Sequence, residues 1–495
     1  MFTGLIGRMK FSNKYTSLLL LVYLIAHGGI FLIPNAIYWD DWVLYRSESN
    51  IILDFFEQWG SMFNLIGYLH IGLLKIGPWV YKVLTFTLMF GSGLLLNNIL
   101  KRYNNINENN RFLIVLLFLI LPFNMARVTM IVFPYTLCYF LFFLAWAMME
   151  RFRFLALVLF FISFNTNSLL VFYAVPFCDM LYRAGYLSSW KNSLHSVPRN
   201  IDYIMLPFIY FYIKTRFFKP SSLFEGYNES YSIEYLITSP LNQIFDLFKL
   251  NISVGLAGIV SIISYFILRK VLVVAAKKQR DLINLLFIGL LILILGAFPY
   301  WIIGRVPTFL EWSSRHQLLM PLGSSLILVA LWHYFKASAG VFSVLVGLSV
   351  AFNVVAYKDL YFDWQKQKQL IHYFSLNTDI KNANFILIDD KTADMNAITR
   401  SYRFYEWNAI FYEAFGDQKR FGISQEKMAS LSSAQLFDDN FLRHYKAGSF
   451  KESTHLKYLS VQINLGDASS AYPVYGVDIN TMQKTVPYFS NSIDV

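Results

Sequence analysis

Long apolar runs, residues 16–33 and 112–122 among them, recur along this chain up to about residue 356. A membrane-spanning helix needs about 20 predominantly apolar residues, and backbone at that depth must satisfy its own hydrogen bonds, which leaves helices and closed barrels. Helix-length runs choose the helix. Only 15% of the 495 residues are charged and 56% are hydrophobic, against roughly a quarter charged in an average soluble domain. So few charges cannot cover the surface of a soluble protein of this length, and the balance excludes a disordered chain and a soluble nucleic-acid binder. Cys138 and Cys178 are the only cysteines and both lie in apolar stretches, so no disulfide framework or thiolate metal site is expected.

About eleven spans are expected, near residues 16–35, 78–99, 112–125, 132–150, 153–167, 168–184, 200–217, 250–268, 282–303, 317–335 and 339–356. The fifth and sixth are short and flank Phe164-Asn165-Thr166-Asn167-Ser168, which also suits a re-entrant hairpin. Alternating the connecting loops places about 17 basic residues on one face, from Arg8, Lys10 and Lys14 through Lys101, Arg102, Arg151, Arg183 and Arg269 to Lys336, and about nine on the other. The positive-inside rule makes the first face cytoplasmic, with the N-terminus and an uncleaved first span. Much of the net charge of +11 is thereby accounted for by topology. An odd span count exports residues 357–495, where span-length runs stop and short alternating stretches such as Phe385-Ile386-Leu387-Ile388 appear. The expected fold is an all-α polytopic membrane domain over 1–356, followed by a soluble α+β domain outside the membrane.

The unusual polar residues fall on the exported face. Directly after the first span comes Tyr38-Trp39-Asp40-Asp41-Trp42-Val43-Leu44-Tyr45. Two adjacent carboxylates at a membrane boundary raise one another's pKa, and partial burial adds to this, which is how a general base is tuned. Trp39, Trp42 and Tyr45 offer faces on which a sugar ring could stack, although an interfacial aromatic belt explains them equally well. The loop at 304–317 carries Arg305, Glu311, Arg315 and His316 where cations should be scarce. An arginine fork matches phosphate oxygens; the plainer alternative is that these arginines reach to headgroups or pair with Glu311. Arg127, and Lys214, Arg216 and Lys219, could complete an electropositive collar. In the tail, Phe404, Trp407, Ile410, Phe411 and Ala414 recur at helical spacing and read as core, with Glu406 and Glu413 solvating the other face. Asp389-Asp390 reads as a strand end before a turn.

A first span followed at once by Tyr38-Trp39-Asp40-Asp41-Trp42, many further spans and an arginine-bearing exported loop before a late helix resembles the GT-C class of integral-membrane glycosyltransferases. The bacterial O-antigen glucosyltransferases that modify lipopolysaccharide are the nearest in size and layout. The resemblance covers residues 16–356 in architecture, and its specific motif is the short acidic one. It implies a sugar donor on a polyprenyl phosphate, a glycan acceptor approaching from the periplasm, membrane lipids as surroundings and no nucleic-acid partner. It also implies an inner-membrane location, a first-loop acid as base, and by position Arg305, Arg315, His316 and Arg127 at the donor phosphate. Glu311 and the first-loop aromatics would then meet sugar. Some members use a divalent metal at the acids and close bacterial relatives need not; with no second acidic ligand in a matched loop, no cofactor is assigned. An O-antigen polymerase or ligase, or a lipid-linked sugar flippase, are the competing expectations.

Overall fold

The computed structural model describes residues 13–104, 106–186, 197–226, 231–247, 253–269, 279–309, 312–424, 439–450, 458–465 and 475–480. Glu311, together with the flanking basic residues Arg8, Lys10, Lys191, Lys270, Lys277 and Lys278, lies outside them.

Among the described residues the chain is mostly helical, with a small sheet near its C-terminal end. Among the described residues four helical segments are long and apolar enough to cross a membrane: Tyr15–Leu32, Pro78–Leu100, Arg280–Trp301 and Ala339–Ser375. The other expected spans contain helices too, but shorter ones, such as Phe133–Met148, Arg153–Ser163, Val254–Leu268 and Met320–Tyr334. Proline and polar turns end them early: Leu121-Pro122 closes the helix Glu108–Ile120, and Asn165-Thr166 separates Arg153–Ser163 from Ser168–Phe172. Eleven full-length spans are therefore more than the helix lengths give.

The helix Glu108–Ile120 lies at the centre of the bundle. Residues 112 to 120 are all buried, at 2% exposure or less, which is the pattern of a helix that meets protein on every side. Polar groups of its neighbours take up its backbone and ends. His27 bonds the Leu119 carbonyl at 2.9 Å, Asn353 Nδ2 donates to the Ile120 carbonyl at 2.7 Å, and His333 meets Asn110 at 2.8 Å. Such bonds, and small residues at close crossings, hold the bundle together. Gly29 is one such crossing: a Cβ there would stand 2.5 Å from the Tyr357 Cβ.

The helix Ala339–Ser375 runs unbroken through residue 357, where the composition changes. Its second half buries Leu360, Asp363, Lys366, Leu370 and Phe374 against the tail. There β1 (Phe385–Asp390), β2 (Phe421–Ser424), β3 (Tyr458–Leu465) and β4 (Tyr475–Asn480) form a sheet in the order β2-β1-β3-β4, with β1 parallel to β2 and β3, and β4 antiparallel to β3. The apolar run of β1 suits a central parallel strand, and the helix Phe404–Phe415 lies in the crossover from β1 to β2. Asp390 ends β1 as expected of a strand end: its carboxylate takes the Thr392 amide at 3.0 Å and the Lys366 ammonium at 2.7 Å.

Tail and first loop share a core. Ile37, Trp42, Val43, Leu44 and Phe55 pack in one apolar cluster with Ile386, Trp407 and Ile410. Ion pairs Arg46–Glu413 (3.0 Å) and Arg443–Asp54 (2.5 Å) line the same junction. The tail thus sits directly on the segment that carries the acidic pair.

Candidate functional site

Residues far apart in the chain converge at the end of the bundle beneath the tail. The turn after the central helix supplies Asn124 and Met125–Val128, the late loop supplies Trp312–Gln317, and the first loop enters between them. The Ser314 hydroxyl accepts from the Ala126 amide at 3.0 Å, and Gln317 Oε1 accepts from the Asn124 amide at 3.2 Å. These bonds fix the late loop against the turn.

The first loop is held by its aromatics. Trp39 stacks on Trp312, with ring centroids 5.7 Å apart and planes 13° from parallel. The Arg315 guanidinium lies 4.8 Å from the Trp39 ring centre and donates to the Trp312 carbonyl at 3.0 Å. Arg400 of the tail lies 5.0 Å from the Trp312 ring. Cation and ring attract through the quadrupole of the ring, more strongly where water is excluded. Trp39 has φ of +53°, a left-handed conformation that is strained for a bulky residue. It is kept there by the stack and by its amide, which donates to Glu406 Oε1 at 3.0 Å.

That amide contact belongs to a buried charge network. Arg400 donates to both oxygens of Glu406, at 2.5 and 2.7 Å, and to Asp363 Oδ2 at 3.2 Å. Glu406 also accepts the Arg403 amide at 3.0 Å, which caps its own helix. Burial works against the charge of Arg400, but Asp363 and Glu406 outweigh it and hold the guanidinium protonated. The expectation that Glu406 merely solvates its helix is corrected: the side chain is 1% exposed because its partners are buried with it. Glu413, too, is paired, with Arg46.

The two adjacent aspartates have different surroundings. Asp41 is fully buried at the start of the short helix Asp41–Leu44, where Oδ1 accepts the Ile131 amide at 2.8 Å and Oδ2 the Tyr38 amide at 3.4 Å. Burial pushes its carboxyl up to about 6, against the pull of the Lys82 charge and of the Ile131, Met130 and Tyr38 amides. Asp40 is half-buried, and the Tyr405 hydroxyl donates to its Oδ1. Burial raises its carboxyl above the ordinary range, while the Tyr405 hydrogen bond and the charges of Arg403 and Arg315 pull it back. Among the described residues no protein donor reaches its Oδ2.

The remaining predicted residues divide. His316 is buried against the Tyr300 ring at 4.8 Å. Burial, and then the charges of Arg315 and Arg305, hold it well below the ordinary histidine range, so the ring is neutral at neutral pH. Arg305 is exposed and near enough to His316 to act on it. Arg127 points elsewhere: it is 3% exposed, and its Nη2 lies 2.6 Å from His27 Nδ1, inside the bundle. Lys214 likewise turns to the Gly60 carbonyl. Trp39 and Trp42, 6% and 4% exposed, have no open face for a sugar, which corrects that expectation; their rings pack the loop. Tyr45 is half-buried, in edge contact with Trp42 and beneath Arg46.

Tyr405, Arg400, Asp363 and Lys82 were not singled out from sequence. Lys82 did carry a signal, as an ionisable residue in a span-length apolar helix; its Nζ donates to the Val128 carbonyl. Glu406 carried one as well, since it stands four residues before Ile410 and so shares its face.

The donor set does not suit a divalent ion. Asp41 has spent both oxygens on backbone amides, and among the described residues no three His, Cys, Asp or Glu side chains converge. No family model matches the chain, and no curated protein or solved structure matches it.

Proposed function

We propose that this protein is a GT-C-type membrane glycosyltransferase. It moves a sugar, glucose in the first instance, from a polyprenyl-phosphate donor to lipopolysaccharide O-antigen or a related glycan at the periplasmic face of the inner membrane. The observation that carries the reading is that Arg315, from a loop 275 residues away, is seated on the ring of Trp39, the neighbour of Asp40, and its charge draws the Asp40 carboxyl down. In this reading the shorter helices complete about eleven crossings, with the N-terminus cytoplasmic and the tail periplasmic.

The chemistry needs a base on one side of the anomeric carbon and positive charge on the other. Asp40 Oδ2 takes the proton of the acceptor hydroxyl while that oxygen bonds to the anomeric carbon. The bond from that carbon to the phosphate oxygen breaks, its electron pair leaves on the lipid phosphate, and the configuration inverts. Arg315, oriented by Trp39, and Arg305 stabilise the charge on the leaving phosphate. A neutral His316 can donate one hydrogen bond to it without competing for the proton. Asp41 holds the loop in register rather than reacting.

Purified protein incubated with polyprenyl-phosphate glucose and O-antigen should produce a glycan heavier by one hexose, and Asp40→Asn should lose that product. Full-rate transfer by Asp40→Asn removes the assignment. Labelled lipid that crosses the bilayer while no glycan gains mass identifies a flippase instead.

A further inference from the structure

We infer that Tyr405, in the C-terminal domain, is a positioning residue for Asp40: its hydroxyl holds Oδ1 and so presents Oδ2 to the acceptor hydroxyl. The inference rests on the reading of Asp40 as the base. It makes the tail a part of the catalytic centre.

Asp40 is poorly constrained by its own segment. It follows the left-handed Trp39 and precedes a helix of four residues, and its carboxylate makes no hydrogen bond within the first loop. A carboxylate so placed can rotate, and its two oxygens are then equivalent. The hydroxyl of Tyr405 removes that freedom. Tyr405 is itself fixed, 5% exposed, with its ring 5.2 Å from both Phe404 and Tyr445. The next residue, Glu406, takes the Trp39 amide and is locked by Arg400. Two successive tail residues thus grip two successive residues of the first loop, and a shift of the tail moves the base.

Several titratable or charged groups face Asp40. Arg403, Tyr405 and Glu406 come from the start of the tail helix, Tyr445 from the segment after it, and Arg315 from the late loop. Of these only Tyr405 donates a hydrogen bond to the carboxylate among the described residues. Tyr405→Phe therefore removes one stabiliser of the charged form and leaves the ring packing and the neighbouring charges in place. The Asp40 carboxyl should hold its proton to higher pH.

The test uses the full chain in detergent micelles, with a carbodiimide and a small amine as the probe and mass spectrometry of the Asp40 peptide as the readout. The carbodiimide couples to the protonated acid, so labelling declines as pH rises from 4 to 8. Its midpoint should move up by about one pH unit in Tyr405→Phe. Tyr412→Phe, the same change on the same helix, should leave it in place. A Tyr405→Phe curve that superimposes on the parent, or an Asp40 that resists labelling at every pH, overturns the inference. The labelling needs no sugar, so a midpoint shift without any glycan product keeps Tyr405 as the group that orients the Asp40 carboxylate and overturns the transferase reading, and with it the role toward an acceptor hydroxyl. Where transfer is measured, the acid limb of kcat/KM should move by the same amount, and raising the pH should rescue the variant. Loss of transfer at every pH with an unmoved midpoint also counts against it.

Discussion

Replacing Asp41 with Asn separates the two members of the acidic pair. Asp41 is fully buried and its carboxyl is pushed from the ordinary 3.8 up to about 6. The folded state therefore binds this proton more tightly than the unfolded chain. Its stabilising contribution is complete below about pH 4 and is lost as pH rises through about 6. Two pH units correspond to about 3 kcal/mol at roughly 1.4 kcal/mol each. An Asn is neutral at every pH and keeps one carbonyl oxygen for the Ile131 amide, so Asp41→Asn lacks this slope. Relative to the parent, it should gain about 3 kcal/mol between pH 4 and pH 7, or roughly 5 °C in apparent Tm for a chain of this size. The assay is thermal unfolding by tryptophan fluorescence in detergent, scanned at one rate across that range, with the parent run in parallel. Parallel curves for the two proteins would refute the reasoning. They would mean that the Lys82 charge and the amides outweigh burial, so that Asp41 is ionised throughout. Asp40→Asn should leave the pH profile of stability closer to the parent, because the Tyr405 hydrogen bond and the charges of Arg403 and Arg315 offset the effect of burial on its carboxyl.

Three further outcomes follow from the same geometry. Arg400→Met leaves Glu406 and Asp363 buried without their cation and should lower stability by about 3–5 kcal/mol; the same change made in an Glu406→Gln background should lose clearly less, as an unfolding double-mutant cycle would show. Arg315→Lys keeps the charge but loses the planar fork seated on Trp39, so transfer assays should find kcat/KM for the donor reduced about 10- to 100-fold while the folded state is retained. Gly347→Ala would place a Cβ 2.8 Å from the Ala257 carbonyl oxygen and the Ser261 amide nitrogen, pushing two helices apart, and a loss of about 1–3 kcal/mol should appear in thermal unfolding.

The helices within the expected spans, the change of character near residue 357, the strand at Phe385 and the tail helix are legible in the sequence, because each depends on the local spacing of apolar residues; the helices Ser49–Gln58, Leu65–Leu74 and Tyr235–Leu247 are not among those expected. The acidic pair and the arginine loop could be picked out for a similar reason: charges are conspicuous where the chain is otherwise apolar. Helix lengths were less legible, since an apolar run continues past the point where a proline or an asparagine turn stops the hydrogen-bond ladder.

What the sequence by itself determined is therefore a helical bundle with an appended sheet, and two polar clusters with no stated relation to each other. Only the tertiary structure decided that Trp39 stacks on Trp312, that Arg315 acts on Asp40, that Tyr405 bonds Asp40 and that Glu406 takes the Trp39 amide. It also separated neighbours that look alike in sequence, joining Asp40 to the Tyr405 hydroxyl and tying Asp41 to the backbone. The physical reason is that a pKa, an ion pair or a stacked ring depends on distance and on the exclusion of water. Partners here lie hundreds of residues apart, and local periodicity carries no information about which of them will meet.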